Sequence, residues 1–137
     1  MNLENSIIFE KGQALSVEAQ KHFTGNCYVA ELVPFESPYN VIVSNVTFEP
    51  GCRNHWHIHP VGQILLVTGG RGWYQEDGKA ARVLKAGEVV QIPGGVKHWH
   101  GAAKDSWFAH LAIEPDVEAG PPEWCGEVAD DDYNRLE

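Results

Sequence analysis

The sequence predicts an all-β fold, either a sandwich or a barrel. Its hydrophobic segments are short and rich in β-branched residues, and Gly, Pro or Asp-Gly turn signals separate them. Short strands bounded by such turns about every eight to twelve positions are typical of sandwiches and barrels. The chain has 137 residues, enough for one domain and too few for two ordinary ones. We expect a single domain over residues 1–137, with its core at about 40–114.

Six segments of the predicted core carry the strand pattern. They are Val41–Phe48 before Pro50-Gly51, Ile64–Thr68 before Gly69-Gly70, Gly72–Gln75 and Ala80–Leu84 around Glu76-Asp77-Gly78, Glu88–Ile92 before Pro93-Gly94-Gly95, and Trp107–Ile113 before Pro115. Asp77-Gly78 is a strong hairpin signal, because this dipeptide accepts the positive φ angles of a tight turn. The pattern therefore predicts consecutive antiparallel strands.

The two ends of the chain differ from this core. In the N-terminal extension, residues 1–39, we expect a short helix at 13–22 and a strand at 27–33 that pairs outside the main barrel or with a second subunit. Residues 115–129 are Pro-rich and irregular, and 130–136 fit a terminal helical turn. Nine acids and one base occur in residues 114–137, so most of the net charge of −9 lies there. We interpret this acidic tail, residues 115–137, as a solvated surface segment.

Composition excludes several classes of partner. No basic patch indicates nucleic acid binding. No apolar run approaches the roughly 18–20 residues of a membrane span, and the N-terminus lacks the pattern of a signal peptide. Three widely spaced cysteines favour a reducing compartment. We expect a soluble, cytoplasmic protein that acts on a small molecule and forms a homodimer or a higher homo-oligomer.

Histidines are the most informative residues of the sequence. Six of the seven lie between positions 55 and 110. His57 and His59 are one residue apart, as are His98 and His100, and alternate side chains of a strand share a face. Several neutral imidazoles on one inward face cannot satisfy one another's hydrogen-bonding needs, whereas a shared metal ion removes that difficulty. The pattern therefore predicts a metal site.

Two motifs around these histidines resemble those of the cupin family. Residues from Gly51 to Gly70 fit Gly-x5-His-x-His-x3-Gln-x6-Gly, and residues from Gly87 to His98 fit Gly-x5-Pro-x-Gly-x2-His. Gln63 stands where the family usually has Glu, and Ala102 where it usually has Asn. The resemblance covers about residues 40–114. It implies a cupin double-stranded β-helix, a jelly-roll-like barrel, with short N- and C-terminal extensions.

A narrower resemblance involves the stretches around Trp56-His57, Val67–Trp73 and Lys97–Ala102. These are similar to a cupin subgroup that includes metal-dependent hydroxynitrile lyases and the cupins associated with carboxymuconolactone decarboxylases. The resemblance implies His57, His59, Gln63 and His98 as ligands of one divalent metal ion. It also implies that His100 and His110 line the pocket without binding the ion, and it leaves the roles of His55 and Glu114 open.

The implied ligand set has a chemical consequence. Three neutral imidazoles and a neutral amide leave the ion its full positive charge, which favours polarising an oxygen over oxygen activation. Four protein ligands also leave coordination positions for water or substrate. Mixed nitrogen and oxygen ligands suit Mn, Fe, Co, Ni or Zn, and the resemblance favours Mn or Fe.

The remaining pocket residues allow several roles. A non-ligand histidine beside a dication is expected to stay neutral and can act as a general base, so His110 and His100 are the candidate catalytic residues. Either could instead orient a ligand or simply pack. The apolar residues that we expect to form the pocket wall are Val43, Val46, Phe48 and Leu111. We expect Trp56 and Trp99 to face away from the metal, His55 to be exposed to solvent and His22 to lie on the surface.

Three functions remain open on this basis. The leading hypothesis is a metal-dependent lyase that acts on a cyanohydrin or a related small hydroxy compound, with the metal as Lewis acid and a histidine as general base. The second is a metal-dependent dioxygenase or another oxidoreductase. The third is a non-catalytic cupin that binds a small molecule. The fold alone cannot decide among them, because one fold supports many chemistries.

Overall fold

The computed structural model describes residues 9–136, and its secondary structure is almost entirely β. The strands are β1 (Gln13–Ala14), β2 (Phe23–Thr24), β3 (Cys27–Val33), β4 (Val41–Phe48), β5 (Arg53–Asn54), β6 (His57–Ile58), β7 (Gly62–Glu76), β8 (Arg82–Lys85), β9 (Val89–Pro93), β10 (His98–Ala102), β11 (Phe108–Pro115) and β12 (Glu123–Trp124). Two short α-helices, Val17–Gln20 and Asp130–Asn134, and a 3-10 helix, Val117–Ala119, complete the described part. The all-β prediction is confirmed.

The strands form one curled antiparallel sheet with two halves. The first half has the order β1-β3-β4-β11-β7-β9. In the second half, β8 and β10 flank the C-terminal part of β7, and β5 and β6 follow one another along the other edge of β10. β2 pairs with β5, and β12 pairs with β6. Only β7 belongs to both halves among the described strands, so it holds the two faces of the barrel together.

β7 differs from the sequence prediction, which ended one strand at Gly69-Gly70. The strand continues for 15 residues, and the glycines coincide with a register shift against β11 between Ala109 and His110. Gly70 has a φ of +76°, and a Cβ there would overlap the carbonyl oxygen of Trp107. Glycine inside a strand often marks such a bulge or close backbone approach. The Gly-Gly pair bends a long strand here and does not end it.

Two apolar clusters stabilise the fold. The first fills the space between the sheet halves around the fully buried side chains of Phe48, Leu65 and Phe108. The second lies on the outer side of the second half, where Trp73 and Trp99 pack with Tyr133 of the C-terminal helix. Trp99 thus points away from its neighbours His98 and His100, as strand alternation predicts. The first cluster forms the floor of the barrel interior.

The extensions differ in part from expectation. The predicted helix at 13–22 is reduced to Val17–Gln20, because β1 occupies its first two residues and its last two form a turn before β2. Residues 27–33 form β3, which pairs with β4 within the same sheet. The predicted terminal helical turn is present at Asp130–Asn134. Among residues 9–136, none of the helices has the length and apolar character to span a bilayer.

Candidate metal centre

Three buried histidines meet in the barrel interior. His57, His98 and His100 each offer one ring nitrogen, and these three atoms lie within 4.8 Å of one another. All three side chains are buried. Their rings are close, with centroids 4.3 Å apart for His57 and His98 and 5.8 Å apart for His57 and His100. Three imidazole nitrogens at this spacing could bind one metal ion.

Strand register creates this cluster. β6 and β10 pair with His57 directly opposite His98, and two residues further along β10 the side chain of His100 lies on the same face. The two His-x-His segments are 39 residues apart in the sequence, yet one antiparallel pairing places them together. The expected convergence of both histidine pairs therefore follows from a single strand contact.

Backbone carbonyls fix which ring nitrogen faces the cluster. His57 Nδ1 lies 2.7 Å from the carbonyl oxygen of His55, and His98 Nδ1 lies 2.9 Å from that of Val96. A carbonyl oxygen only accepts, so each Nδ1 carries the proton and donates it. Each Nε2 then presents a lone pair, as metal-ligating histidines held by an outer partner commonly do.

His59 and Gln63 lie at the edge of the same cluster. The ring of His59 is 5.0 Å from that of His57 and 5.7 Å from that of His98. Its Nδ1 is 2.9 Å from a carboxylate oxygen of Glu114, so its Nε2 is also free to act as a ligand. Gln63 Oε1 and His98 Nε2 are buried and lack a hydrogen-bond partner. Buried polar atoms without partners are costly, and a divalent ion would satisfy both.

The ligand set predicted from sequence differs from the three-histidine group at two places. The predicted set was His57, His59, Gln63 and His98. The histidine group shares His57 and His98 with it, adds His100 and lacks His59, and as a group of histidines it does not bear on Gln63. The ring of His100 already has hydrogen-bonding partners in Asn54 and His110, whereas the buried Gln63 Oε1 has none. The residues fit a divalent ion, and the choice between the two sets stays a prediction.

His100 and His110 form a second, directly bonded pair. His110 Nε2 lies 3.1 Å from His100 Nδ1, so one ring donates a hydrogen bond to the other. Asn54 supports His100 from both sides: its amide nitrogen is 3.2 Å from His100 Nε2, and its carbonyl oxygen accepts the His100 backbone N–H at 2.9 Å. We call His100 and His110 the imidazole dyad.

Burial keeps these imidazoles neutral. Loss of hydration lowers the pKa of His98 and of His110 to about 4. The same cause, with the neighbouring histidines adding to it, lowers the pKa of His57 and of His100 well below the ordinary value. A neutral imidazole has the free lone pair that either a metal ligand or a general base requires. Near neutral pH these rings are therefore uncharged, the state that both metal binding and proton acceptance require.

These groups line a cavity of about 270 Å³, which we call the inner pocket. Its walls come from both sheet halves and both ends of the chain. They are Leu15, Phe23, Val29, Ser44, Val46, Phe48, Asn54, His57, His59, Gln63, His100, His110, Ala112, Glu114, Pro122 and Trp124. The size suits a small molecule, and most of the surface is apolar with a few convergent polar groups, as is usual for ligand sites.

Two of the predicted wall residues lie elsewhere. Val46 and Phe48 line the inner pocket, but Val43 and Leu111 do not. Strand alternation gives the reason, because the lining positions are Ser44, Val46 and Phe48 on β4 and the even-numbered residues on β11. Val43 and Leu111 have the opposite parity and face away.

Of the two histidines outside these groups, His55 corrects the expectation of exposure, whereas His22 keeps part of its surface exposed, as expected. His55 is buried and its carbonyl orients His57. His22 is half-buried, and its ring stacks on Trp124 with centroids 4.1 Å apart and an interplanar angle of 4°. Trp124 in turn lies 4.9 Å from His57 and lines the inner pocket. Sequence reasoning missed Trp124 because no local pattern placed the tail beside β6.

The acidic tail also needs a different interpretation. Pro122 and Trp124 of this tail line the inner pocket, together with Glu114 of β11 just before it. Trp124 reaches the pocket because β12 pairs with β6 and places Trp124 opposite His57. Further along, buried Arg53 contacts Asp130 at 2.5 Å, and Tyr133 donates a hydrogen bond to the carbonyl oxygen of Ala102 at 2.5 Å. The segment is part of the site and not only a solvated surface.

The curled sheet and the buried imidazoles define a β-barrel protein with a candidate metal centre. The cupin domain model matches residues 44–113, about half of the chain. The chain therefore belongs to the cupin family, which confirms the fold and the family expected from the two glycine-histidine motifs.

Relatives extend this likeness to nearly the whole chain. The (R)-mandelonitrile lyase of Granulicella tundricola is 42% identical over 113 residues, which are 82% of this chain and 86% of that protein. A cupin-like protein of Thermotoga maritima is 51% identical, with a TM-score of 0.88 over 94% of this chain and 96% of that one. A DMSP lyase from Ruegeria pomeroyi, 21% identical with a TM-score of 0.60 over 86% of this chain and 59% of its own, shares the fold.

Proposed function

We propose that this chain is a metal-dependent lyase that cleaves a cyanohydrin or a related small hydroxy compound. The observation that carries the proposal is the buried imidazole dyad, His100 and His110. It lines one small pocket together with three potential metal ligands, His57, His59 and Gln63. The 42% identity to an (R)-mandelonitrile lyase supports the same reaction class.

The residues that hold the ion are proposed to be His57, His59, Gln63 and His98. An ion bound by these neutral ligands, with Mn or Fe the proposed metal, supplies positive charge as a Lewis acid near the substrate oxygen. Glu114 accepts the Nδ1 proton of His59 and so orients that ring. The chain's own contribution is to exclude water from this charge and to position the substrate hydroxyl.

The imidazole dyad moves the proton. One of its rings takes the hydroxyl proton of the cyanohydrin while the bond between the carbinol carbon and the nitrile carbon breaks. The electron pair of that bond leaves with cyanide, a carbonyl forms on the former carbinol, and the proton passes to cyanide. A neutral imidazole whose partner is a second neutral imidazole can share the acquired proton across their 3.1 Å contact.

The experiment is an assay of mandelonitrile cleavage by Mn-loaded and Fe-loaded protein, with and without air. Cyanide and benzaldehyde should appear in equal amounts, and oxygen should not be consumed. Oxygen uptake that depends on Fe would instead favour an oxidoreductase. Thermal stabilisation by the substrate without any turnover would favour a cupin that only binds its ligand. Either result contradicts the lyase proposal.

Two further expectations remain proposals. We propose a homodimer or a higher homo-oligomer, which light scattering coupled to size-exclusion chromatography tests directly. We also propose a cytoplasmic location, which cell fractionation with a tagged full-length protein tests. Neither is needed for the proposed chemistry, since the candidate residues all lie within one chain.

A further inference from the structure

A second cavity lies next to the inner pocket. It has a volume of about 370 Å³, against about 270 Å³ for the inner pocket. Phe35, Ile42 and Val61 form one side of it, and the C-terminal segment at 114–122 forms the other. We call this cavity the outer pocket. The proposed reaction, on a cyanohydrin as small as mandelonitrile, leaves it without a role.

The two pockets share a wall. His59, Glu114 and Pro122 line both cavities, and the contact of 2.9 Å between His59 and Glu114 lies in that wall. His59 is buried, whereas the Glu114 side chain is 27% exposed. The two cavities therefore adjoin at these side chains.

The lining of the outer pocket restricts what it can take. Its surface is largely apolar, from Phe35, Ile42, Val61, Val117 and the prolines at 121 and 122. Its charged groups are carboxylates, those of Glu114, Asp116 and Glu118, and the lining within the described residues contains no lysine or arginine. An anionic group would be repelled there, whereas a neutral apolar group or one that carries a distal cation would be accepted.

The outer wall is held in a fixed shape. Asn40 and Asp116 are the two non-glycine residues with positive φ in the described chain, at 53° and 50°. Asn40 donates a side-chain hydrogen bond to Asp116 at 3.2 Å and accepts one from the backbone N–H of Glu118 at 3.4 Å. Unusual backbone angles of this kind persist where surrounding contacts enforce them. These contacts join the loop at Asn40 to Asp116 and Glu118, two residues of the outer pocket wall.

We propose that the outer pocket is the second compartment of the site and holds the apolar body of an elongated substrate, neutral or carrying a distal cation. The polar, reacting end of that substrate lies among the imidazoles of the inner pocket. This inference rests on the proposed function for the identity of the reacting end. The compartment itself is testable without turnover.

The test compares two alcohols in NMR titrations of the isotope-labelled, zinc-loaded full chain. On this proposal benzyl alcohol should occupy the inner pocket alone, and 3-phenoxybenzyl alcohol should extend into the outer pocket. The longer alcohol should bind at least roughly tenfold more tightly because a second ring is buried. It should also move the backbone amides of Val61, Val117 and Gly120. Equal affinities, or unmoved amides, would overturn the proposal.

A matched pair of variants locates the effect. Val61→Trp fills the outer pocket, whereas Val89→Trp makes the same change at a similarly exposed valine outside both pockets. We expect Val61→Trp to weaken binding of the longer alcohol by roughly tenfold and to leave benzyl alcohol unaffected. Val89→Trp should change neither affinity. An equal loss in both variants would contradict the assignment.

The charge of the distal group on the ligand gives a third test. A distal carboxylate on the phenoxy ring should weaken binding relative to a distal aminomethyl group, and Glu118→Gln should reduce that difference. The reverse order would contradict the class of substrate. Binding in the outer pocket without mandelonitrile cleavage would reject the proposed function alone. Mandelonitrile cleavage with an unresponsive outer pocket would reject this inference alone.

Discussion

The strands β6 and β10 and the C-terminal segment reach the same pocket by different routes. β6 and β10 bring His57 and His98 together through one antiparallel pairing, and alternation along β10 adds His100. The C-terminal segment, residues 114–136, brings Glu114, Pro122 and Trp124 to the same pocket. The comparison indicates that the strands supply the chemistry and that the segment supplies orientation and enclosure. Four substitutions test this division, beginning with the largest expected effect.

His98→Ala tests the strand side. It removes a buried Nε2 that has no other partner and one of the three clustered imidazoles. We expect the purified protein to lose nearly all bound metal, as measured by elemental analysis. His22→Ala, which removes a histidine outside the cluster, should retain the metal. Full occupancy in His98→Ala would show that the ion is held elsewhere.

His110→Phe separates chemistry from metal binding. The substitution keeps a buried ring of similar size but removes one member of the imidazole dyad. Metal content and circular dichroism should be unchanged, and kcat for mandelonitrile should fall by roughly 10²–10⁴, as expected for loss of a general base. An unchanged kcat in the fully metallated variant would mean that His110 only packs.

Glu114→Ala tests the contribution of the C-terminal segment. Loss of the acceptor for His59 Nδ1 should weaken metal affinity by roughly 10–100-fold, the usual effect of removing an outer partner of a ligand. Glu114→Gln should have a smaller effect, because its amide oxygen can still accept that proton. Competition with a chelator measures both. Glu123→Ala, on an exposed acid of the same segment, is the charge control, and an equal loss there would indicate only a long-range field.

Tyr133→Phe tests how firmly the end of the segment is attached. The hydroxyl is buried and donates to the carbonyl oxygen of Ala102 in β10. Removing it should lower the free energy of unfolding by about 1 kcal/mol, which urea denaturation can resolve. Asp131→Ala, an exposed position in the same helix, should have little effect. An unchanged midpoint in Tyr133→Phe would show that this hydrogen bond does not hold the helix.

The histidines carried by the strands were predictable, because residues close together in the sequence determine which of their side chains share a face. An i, i+2 spacing determines which side chains share a face, so His57 with His59 and His98 with His100 could be paired from sequence alone. The family motifs then implied the barrel. The sequence did not show which alternate residues of β4 and β11 face the pocket. Val43 and Leu111 were chosen for their apolar side chains and lie on the faces turned away from it.

The segment-borne half was not predictable for a physical reason. Pairing of β12 with β6 depends on backbone hydrogen bonds between residues more than 60 positions apart, and a two-residue strand has no periodicity to detect. Trp124 and Pro122 therefore carried no sequence signal for the pocket. The excess of acids in the same segment favoured a solvent-exposed interpretation, although Arg53 and Tyr133 hold its end against the barrel.

The continuity of β7 has a consequence for how the molecule opens. This strand lies between β11 and β9 in one half and between β8 and β10 in the other, so losing β7 from either half removes a central strand that the other half also needs. The barrel should consequently unfold as one cooperative unit, and amides near Leu65 and near Trp73 should exchange their hydrogens through the same global opening. Slow exchange in both places would then report on the entire barrel, and a pocket bounded by both halves would persist for as long as the native state does.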